Sequence, residues 1–354
     1  MKILIDISHP AEFHFFRNFI RIMSDKGHDF FITARDKDCN IELLNAYKFN
    51  YVIRGKGSNT LVGKFFYLLK AVNQLFLIAK KYKPDLFISF CSPYAAIVSS
   101  LHGKPHIAFS DTEHSRIMRW AYMPYTKNIL TPKCYTDDLG AKQIRFEGYK
   151  EIAYLHENYF KPNADVMNLL GVQKNEKYVI VRFISWKALH DMGHKGLSLY
   201  DKIQIVKNLS KYAKVFISSE EELPDEIKRY KINIPVNMMH DALAFAILFV
   251  GEGATMAAES AVLSVPAVFN YLRFGYVKEL EEKHHLIFHL NKLDDIINKT
   301  TELLTMPDLK ELWKQKRFEM MKTKIDVTSF MVWFVENYPE SVKISPENSI
   351  LQMK

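Results

Sequence analysis

The amino-acid sequence predicts an α/β protein made of two doubly wound domains, each a mostly parallel sheet with helices on both faces. Short apolar runs of strand length alternate with amphipathic helical segments along most of the chain, the pattern of parallel sheets covered on both sides. The alternation breaks once, at "NYFKPNADVMNLLGV", where Pro162 and neighbouring polar residues read as a linker, and then restarts. A chain of 354 residues is also long enough for two separate cores.

The elements follow in order. "KILIDIS" is a buried-strand pattern, "AEFHFFRNFIRIMSDKGH" an amphipathic helix ending near Gly27, and "DFFITA" a second strand. Asn40 to Lys48 reads as helix, "YVI" as strand, and a long helix runs from about Leu61 to Lys81. "DLFIS", a helix after Pro93 and the strand "HIAFS" continue the first domain, expected to span 1–162. The second, expected over 163–338, opens with "YVIVRFI", the helix Leu199 to Tyr212 and "KVFISSE". It closes with helical segments at Leu309 to Lys322 and Ser329 to Glu336, and 339–354 reads as a loose tail.

Composition bounds the function. With 48% hydrophobic and 25% charged residues the chain is an ordinary globular one. Its three cysteines, Cys39, Cys91 and Cys134, form no CxxC pair, which argues against a disulfide framework or structural zinc and fits a reducing cytoplasm. "MKILIDISHP" lacks a signal-peptide layout, and no apolar run approaches the roughly 18 residues of a spanning helix, so no membrane crossing is expected. A net charge of +8 suits a polyanion, a membrane surface or an anionic small substrate. Without a nucleic-acid motif or a long basic block, nucleic acid is not the expected partner.

Ligands of open α/β sheets bind at the carboxyl ends of the strands, so a cleft between two such sheets is the expected site. Four stretches bring chemistry to those ends. The first loop, "DISHPAEFHFF", offers His9 in the turn and His14 near the helix start, either of which could serve as a base near neutral pH or simply cap and pack the helix. "SDTEHS" concentrates Asp111, Glu113 and His114, able to orient sugar hydroxyls, position a histidine or ligate a metal, or to lie in a solvated loop. "VRFISWKALHDMGHKG" supplies Arg182, Ser185, Trp186, His190, Asp191 and His194 for phosphate contact and base stacking. The His190/His194 spacing makes only a weak zinc motif, because no Glu follows the first His.

The fourth stretch is "VGEGATMAAESAVLSVPAVFN". Gly251 and Gly253 flank Glu252 and break the strand, and Ala254 and Thr255 open a helix whose free N–H groups and positive dipole end suit a phosphate. Glu259 stands four residues after Thr255 on the same face. A carboxylate there stabilises the helix start by about 0.3 to 1 kcal/mol, or accepts from a ribose diol.

"GEGATMAAESAVLSVPAV" resembles the donor-nucleotide motif of GT-B glycosyltransferases, and "MKILIDISHPAEFHFFRNFI", "ITARDKD" and "SWKALHDMGHKG" resemble a family of uncharacterised bacterial and archaeal proteins. That family is similar to the N-acetylglucosaminyltransferase of peptidoglycan synthesis and to the nucleotide-sugar 2-epimerases. The resemblance covers most of residues 1 to 335 and implies two Rossmann-like domains, the first on the acceptor side. It implies a phosphate turn at Gly253, Ala254 and Thr255, a ribose ligand at Glu259 and an acceptor-facing histidine at His14. The activity implied is metal-independent transfer from a nucleotide-diphosphate sugar, a UDP-sugar by preference, to a glycan or lipid-linked acceptor in polysaccharide biosynthesis, without cofactor. The first loop is poorer in glycine than in the peptidoglycan enzyme, which leaves the acceptor open. Epimerases follow their turn with a Glu-Glu pair and a "TERPE"-like loop, whereas this chain has "MAAES" and "NYLRFGYVKELEEK". A non-catalytic nucleotide-sugar binding subunit is the further alternative. Residues 64 to 83, "KFFYLLKAVNQLFLIAKKYK", either lie on an anionic bilayer or cover the first sheet; the alternation itself demands a helix here.

Overall fold

The computed structural model describes all residues except 59, 112, 114, 115, 174, 185–195, 271 and 345–354, and leaves the side chains of residues 61 and 116 undescribed. The chain divides into two units, one formed by Met1–Tyr154 with the segment from Ile325 onward, the other by Leu155–Lys324.

In the first unit β1 (Lys2–Ile7), α1 (Pro10–Asp25), β2 (Asp29–Ala34), α2 (Asn40–Ala46), β3 (Val52–Ile53), α3 (Leu61–Tyr82), β4 (Leu86–Phe90), α4 (Pro93–Leu101), β5 (His106–Phe109), α5 (Arg116–Tyr122), β6 (Asn128–Pro132) and β7 (Gln143–Phe146) precede the short α6 (Ile152–Leu155). Seven strands form one parallel sheet in the order β3-β2-β1-β4-β5-β6-β7. The chain moves outward from β1 to β3 and then returns to the other side of β1, so the switch point lies between β1 and β4. Right-handed crossovers then put α1 and α2 on one face and α3, α4 and α5 on the other. The central strands are buried on both faces, which is why "KILIDI" and "LFISF" read as continuous apolar runs.

One buried charge interrupts β1. Asp6 accepts from Arg54 Nε at 2.7 Å, Thr33 Oγ1 at 2.8 Å and Ser92 Oγ, which ties the ends of β1, β2 and β3 to the start of α4. A carboxylate in a sheet interior persists only with such a full set of partners.

In the second unit α7 (Asp165–Leu169), β8 (Tyr178–Phe183), α8 (Leu199–Leu209), β9 (Lys214–Ser219), α9 (Asp225–Lys228), α10 (Met239–Phe245), β10 (Leu248–Gly251), α11 (Ala254–Val262), β11 (Ala267–Phe269), α12 (Gly275–Glu282), β12 (Ile287–His289), α13 (Leu293–Thr305) and α14 (Leu309–Met321) follow. The five-stranded parallel sheet has the order β12-β11-β10-β8-β9, with its switch point between β8 and β10.

The division differs from the expected 163–338 and 339–354. The last helix, α15 (Val327–Glu336), packs on α1, and Phe330 stacks on Phe146 at 5.5 Å, so it belongs to the first unit. Thr328 Oγ1 donates to Ala153 O at 2.7 Å on the same side. A helix that is apolar all round can bury itself against either sheet, and its sequence does not say which. Nor is the start of the tail loose: Ser341 is buried and its Oγ donates to Phe334 O at 2.7 Å.

Candidate functional site

The carboxyl ends of β8 and β10 carry the glycine turn. Gly251 pairs in register with Arg182, and a Cβ on it would lie 2.5 Å from the Arg182 carbonyl oxygen, a backbone atom that cannot step aside. Gly253 has room instead, since a Cβ there would meet only Arg182 Cγ at 3.9 Å, and its φ of −122° suits any residue. Of the two glycines that flank Glu252, Gly251 is therefore the one whose place in the sheet admits no side chain.

Glu252 is fully buried between the two glycines. It accepts from Leu197 N at 2.7 Å and Ile184 N at 3.3 Å, the two backbone groups flanking 185–195, and Lys202 Nζ of α8 lies 3.1 Å away. Sequence reasoning gave this residue no role. Its signal was visible: a lone carboxylate between glycines at a strand end.

Gly253 is the N-cap of α11 and supplies no side-chain cap. The first-turn N–H groups of α11 therefore have no intrahelical partner and lie at the positive end of the helix dipole. Ala254 is buried and Thr255 half-buried at this end. One turn further in, Glu259 is buried, and its Oε1 lies 3.0 Å from His240 Nε2 of α10. A carboxylate only accepts, so Nε2–H is the donor. The expected ribose ligand thus already carries a protein partner. Arg182 donates to Ser218 Oγ and Glu220 Oε1, each at 2.7 Å, and so reaches β9 rather than the glycine turn. Ser185, Trp186 and His190, with Asp191 and His194, lie outside the described residues.

In the first loop of the other unit both histidines serve α1, one as its cap and one in its packing. His9 is the N-cap of α1, its Nδ1 accepting from Ala11 N at 3.2 Å, while Nε2 lies 3.7 Å from Asp38 Oδ2. His14 is buried, with its ring 5.4 Å from Tyr154 and 5.7 Å from Phe13, and its Nδ1 lies 3.2 Å from Arg17 Nη1. A guanidinium has no acceptor, so Nδ1 supplies the lone pair and the ring proton of the neutral form sits on Nε2.

Glu12, between these histidines, was not singled out by sequence. It accepts from Ser8 N at 2.6 Å, and burial, reinforced by Asp6, raises its pKa to about 8 against the opposing Ser8 N–H, Arg54 and Lys37.

At the end of β5, Asp111 is buried and pairs with Lys150 Nζ at 2.8 Å; the same Nζ is 3.6 Å from Glu151 and lies over the Phe90 ring. Glu113 accepts from Thr136 N at 2.8 Å, and its Oε2 is buried without a partner among the described residues. Burial raises its pKa, the Thr136 N–H opposes this, and Asp137 and Asp111 add to the rise. Asp111 is thus paired with Lys150, which was invisible to the sequence reading, and lies near enough to Glu113 to contribute to its raised pKa. Among the described residues no group of three His, Cys, Asp or Glu could hold a metal ion.

Residues 1–340 match the family described as "Protein of unknown function (DUF354)". The chain belongs to this family. An uncharacterised protein of Methanocaldococcus jannaschii, MJ0665, is 27% identical over 314 residues, covering 84% of this chain and 90% of the relative. Among solved structures, the S. aureus MnaA–UDP co-structure gives a TM-score of 0.71 at 11% identity, covering 98% of this chain and 99% of that one. The UDP-GlcNAc 2-epimerase of Neisseria meningitidis bound to UDP-GlcNAc gives 0.65 at 10%, covering 95% and 99%. The spinosyn forosaminyltransferase SpnP gives 0.63 at 14%, covering 97% and 100%. At such identities the likeness is one of fold: an α/β protein with two parallel sheets, similar to GT-B glycosyltransferases and to the epimerases.

Proposed function

We propose that this DUF354 protein is a metal-independent glycosyltransferase that takes a sugar from a nucleotide-diphosphate donor, by preference a UDP-sugar, for a cell-envelope or surface glycan. The observation that carries the reading is the N-terminus of α11, uncapped by its N-cap residue and placed at the β8/β10 switch point where open α/β sheets bind ligands. Its N–H groups at Ala254 and Thr255 would hold the diphosphate and stabilise it as a leaving group. Glu259, its position fixed by His240, would accept from the ribose hydroxyls.

For removal of the acceptor proton we assign Glu113 rather than His14. A general base works best with a pKa near the working pH, and Glu113 combines an upward shift with a buried oxygen that lacks a protein donor among the described residues. The Thr136 N–H, donating to its other oxygen, would orient it.

One observation favours a second reading. Asp111, Glu113, Glu151 and Lys150 supply more proton-handling groups than one deprotonation needs, and epimerisation beside an anomeric carbon both removes and returns a proton. A thermal-shift screen against UDP-, GDP-, CDP- and dTDP-sugars tests the shared premise, because a ligand bound only by the folded state raises the melting temperature. No shift with any of them would sink both readings. Release of nucleoside diphosphate only when acceptor is added marks the transferase; change of the sugar without acceptor marks the epimerase.

A further inference from the structure

The face of the first sheet covered by α3, α4 and α5 has no part in the proposed chemistry. The three helices lie side by side, α4 in contact with both α3 and α5. Contrary to the expectation that no segment would qualify, Val62–Tyr82 is long and apolar enough to cross a membrane by length and composition. Yet this helix is the β3-to-β4 crossover, and Leu75 and Ala79 are fully buried against Leu4, Phe87, Ala95 and Val98. That stripe commits it to the sheet, so it lies along the unit's surface.

Its outer side is apolar where a solvated helix would be polar. Phe65 is 57% and Phe66 64% exposed, with Val62 and Leu69 beside them. Two helices away, Ile117 and Trp120 of α5 are 79% and 81% exposed. Half-buried Tyr94 of α4 bridges part of the gap, meeting Tyr67 of α3 edge-on at 5.8 Å. In a parallel α/β layer each crossover helix starts at the carboxyl end of the sheet. The exposed side chains near the starts of α3 and α5 therefore share one rim.

The charge on these helices is one-sided. α3 contains Lys64, Lys70, Lys80 and Lys81, and none of the three helices contains an Asp or Glu; of the α5 arginines, Arg119 is buried and paired with Asp137, so the lysines of α3 carry the charge. By contrast α13 alone carries Asp294, Asp295 and Glu302.

We infer that this face docks on an anionic lipid surface, with Trp120, Phe65 and Phe66 entering the boundary between headgroups and acyl chains. Aromatic rings with an apolar body suit that boundary, and the lysines of α3 beside them, Lys64 and Lys70, meet lipid phosphates. Charge argues against a second copy of the chain as occupant, because pairing this face with itself would oppose basic side chains with no acidic partner among them.

The test is flotation of the full chain with vesicles of phosphatidylcholine, with and without phosphatidylglycerol. Binding is expected only with the anionic lipid and should weaken steeply at high salt. Phe66→Glu and Trp120→Glu should each lower partitioning by roughly tenfold or more while the melting temperature stays unchanged. Brominated acyl chains should quench the parent's tryptophan emission more than that of Trp120→Phe. No flotation with anionic vesicles, or equal flotation with neutral ones, would overturn the inference. So would a dimer that Phe66→Glu converts to monomer without any vesicle binding, since the face would then serve self-association.

Discussion

His240 Nε2 and Glu259 Oε1 lie 3.0 Å apart in the interior of the second unit, which makes the carboxylate proposed for ribose binding a structural group as well. Substitution must separate the two roles. Glu259→Gln keeps an oxygen for His240 and should melt close to the parent, while UDP affinity falls roughly tenfold or more through loss of charge-assisted hydrogen bonds. Glu259→Ala should also destabilise, by about 1 to 3 kcal/mol. Calorimetric titration of Glu259→Gln with UDP checks this; parental affinity would confine Glu259 to the fold.

The two glycines of the turn should behave oppositely. Gly251→Ala drives a Cβ onto the Arg182 carbonyl and should cost about 1 to 3 kcal/mol in urea unfolding. Gly253→Val should unfold like the parent, having space beside Arg182 Cγ. If α11 holds a diphosphate, Gly253→Val should weaken binding of UDP far more than that of free uridine. Equal loss for both ligands would point to general damage of the unit.

Glu113→Gln should lower turnover by about 10²- to 10⁴-fold with donor binding preserved, the usual range for general-base catalysis. His14→Ala should lose much less, because its Nδ1 already accepts from Arg17. Activity should persist in EDTA. The opposite ranking of the two variants in a steady-state assay would return the base to His14.

Glu12 gives the stability a pH dependence of defined sign. Its folded pKa of about 8 lies above the ordinary carboxylate value, so between about pH 5 and 8 the unfolded chain has released a proton that the folded one keeps. The contribution is fully present below the unfolded pKa and is lost as pH rises through 8. Chemical denaturation across this window should show stability falling by up to about 1 kcal/mol per pH unit from this group. In Glu12→Gln that slope should flatten; an unchanged slope would assign it elsewhere.

Much of the fold was legible in the sequence, because strand and helix periods are local properties. "KILIDI" announces β1 by its unbroken apolar run, and "GEGATMAAES" announces a helix start through glycines that break a strand and alanines that favour a helix. Which of the two glycines has no room for a side chain was not legible, since the obstacle at Gly251 is the carbonyl of Arg182 on a neighbouring strand.

By itself, then, the sequence determined the alternating elements, the two-sheet class and the position of the glycine turn before α11. Tertiary structure alone decided the partners. Asp111 meets Lys150 from 39 residues away, Glu252 meets Leu197 from 55, and α15 leaves the unit preceding it to pack on α1. Such pairings depend on strand order and on which apolar surface a helix finds first to cover. Periodicity fixes only which side of an element is buried, not what buries it.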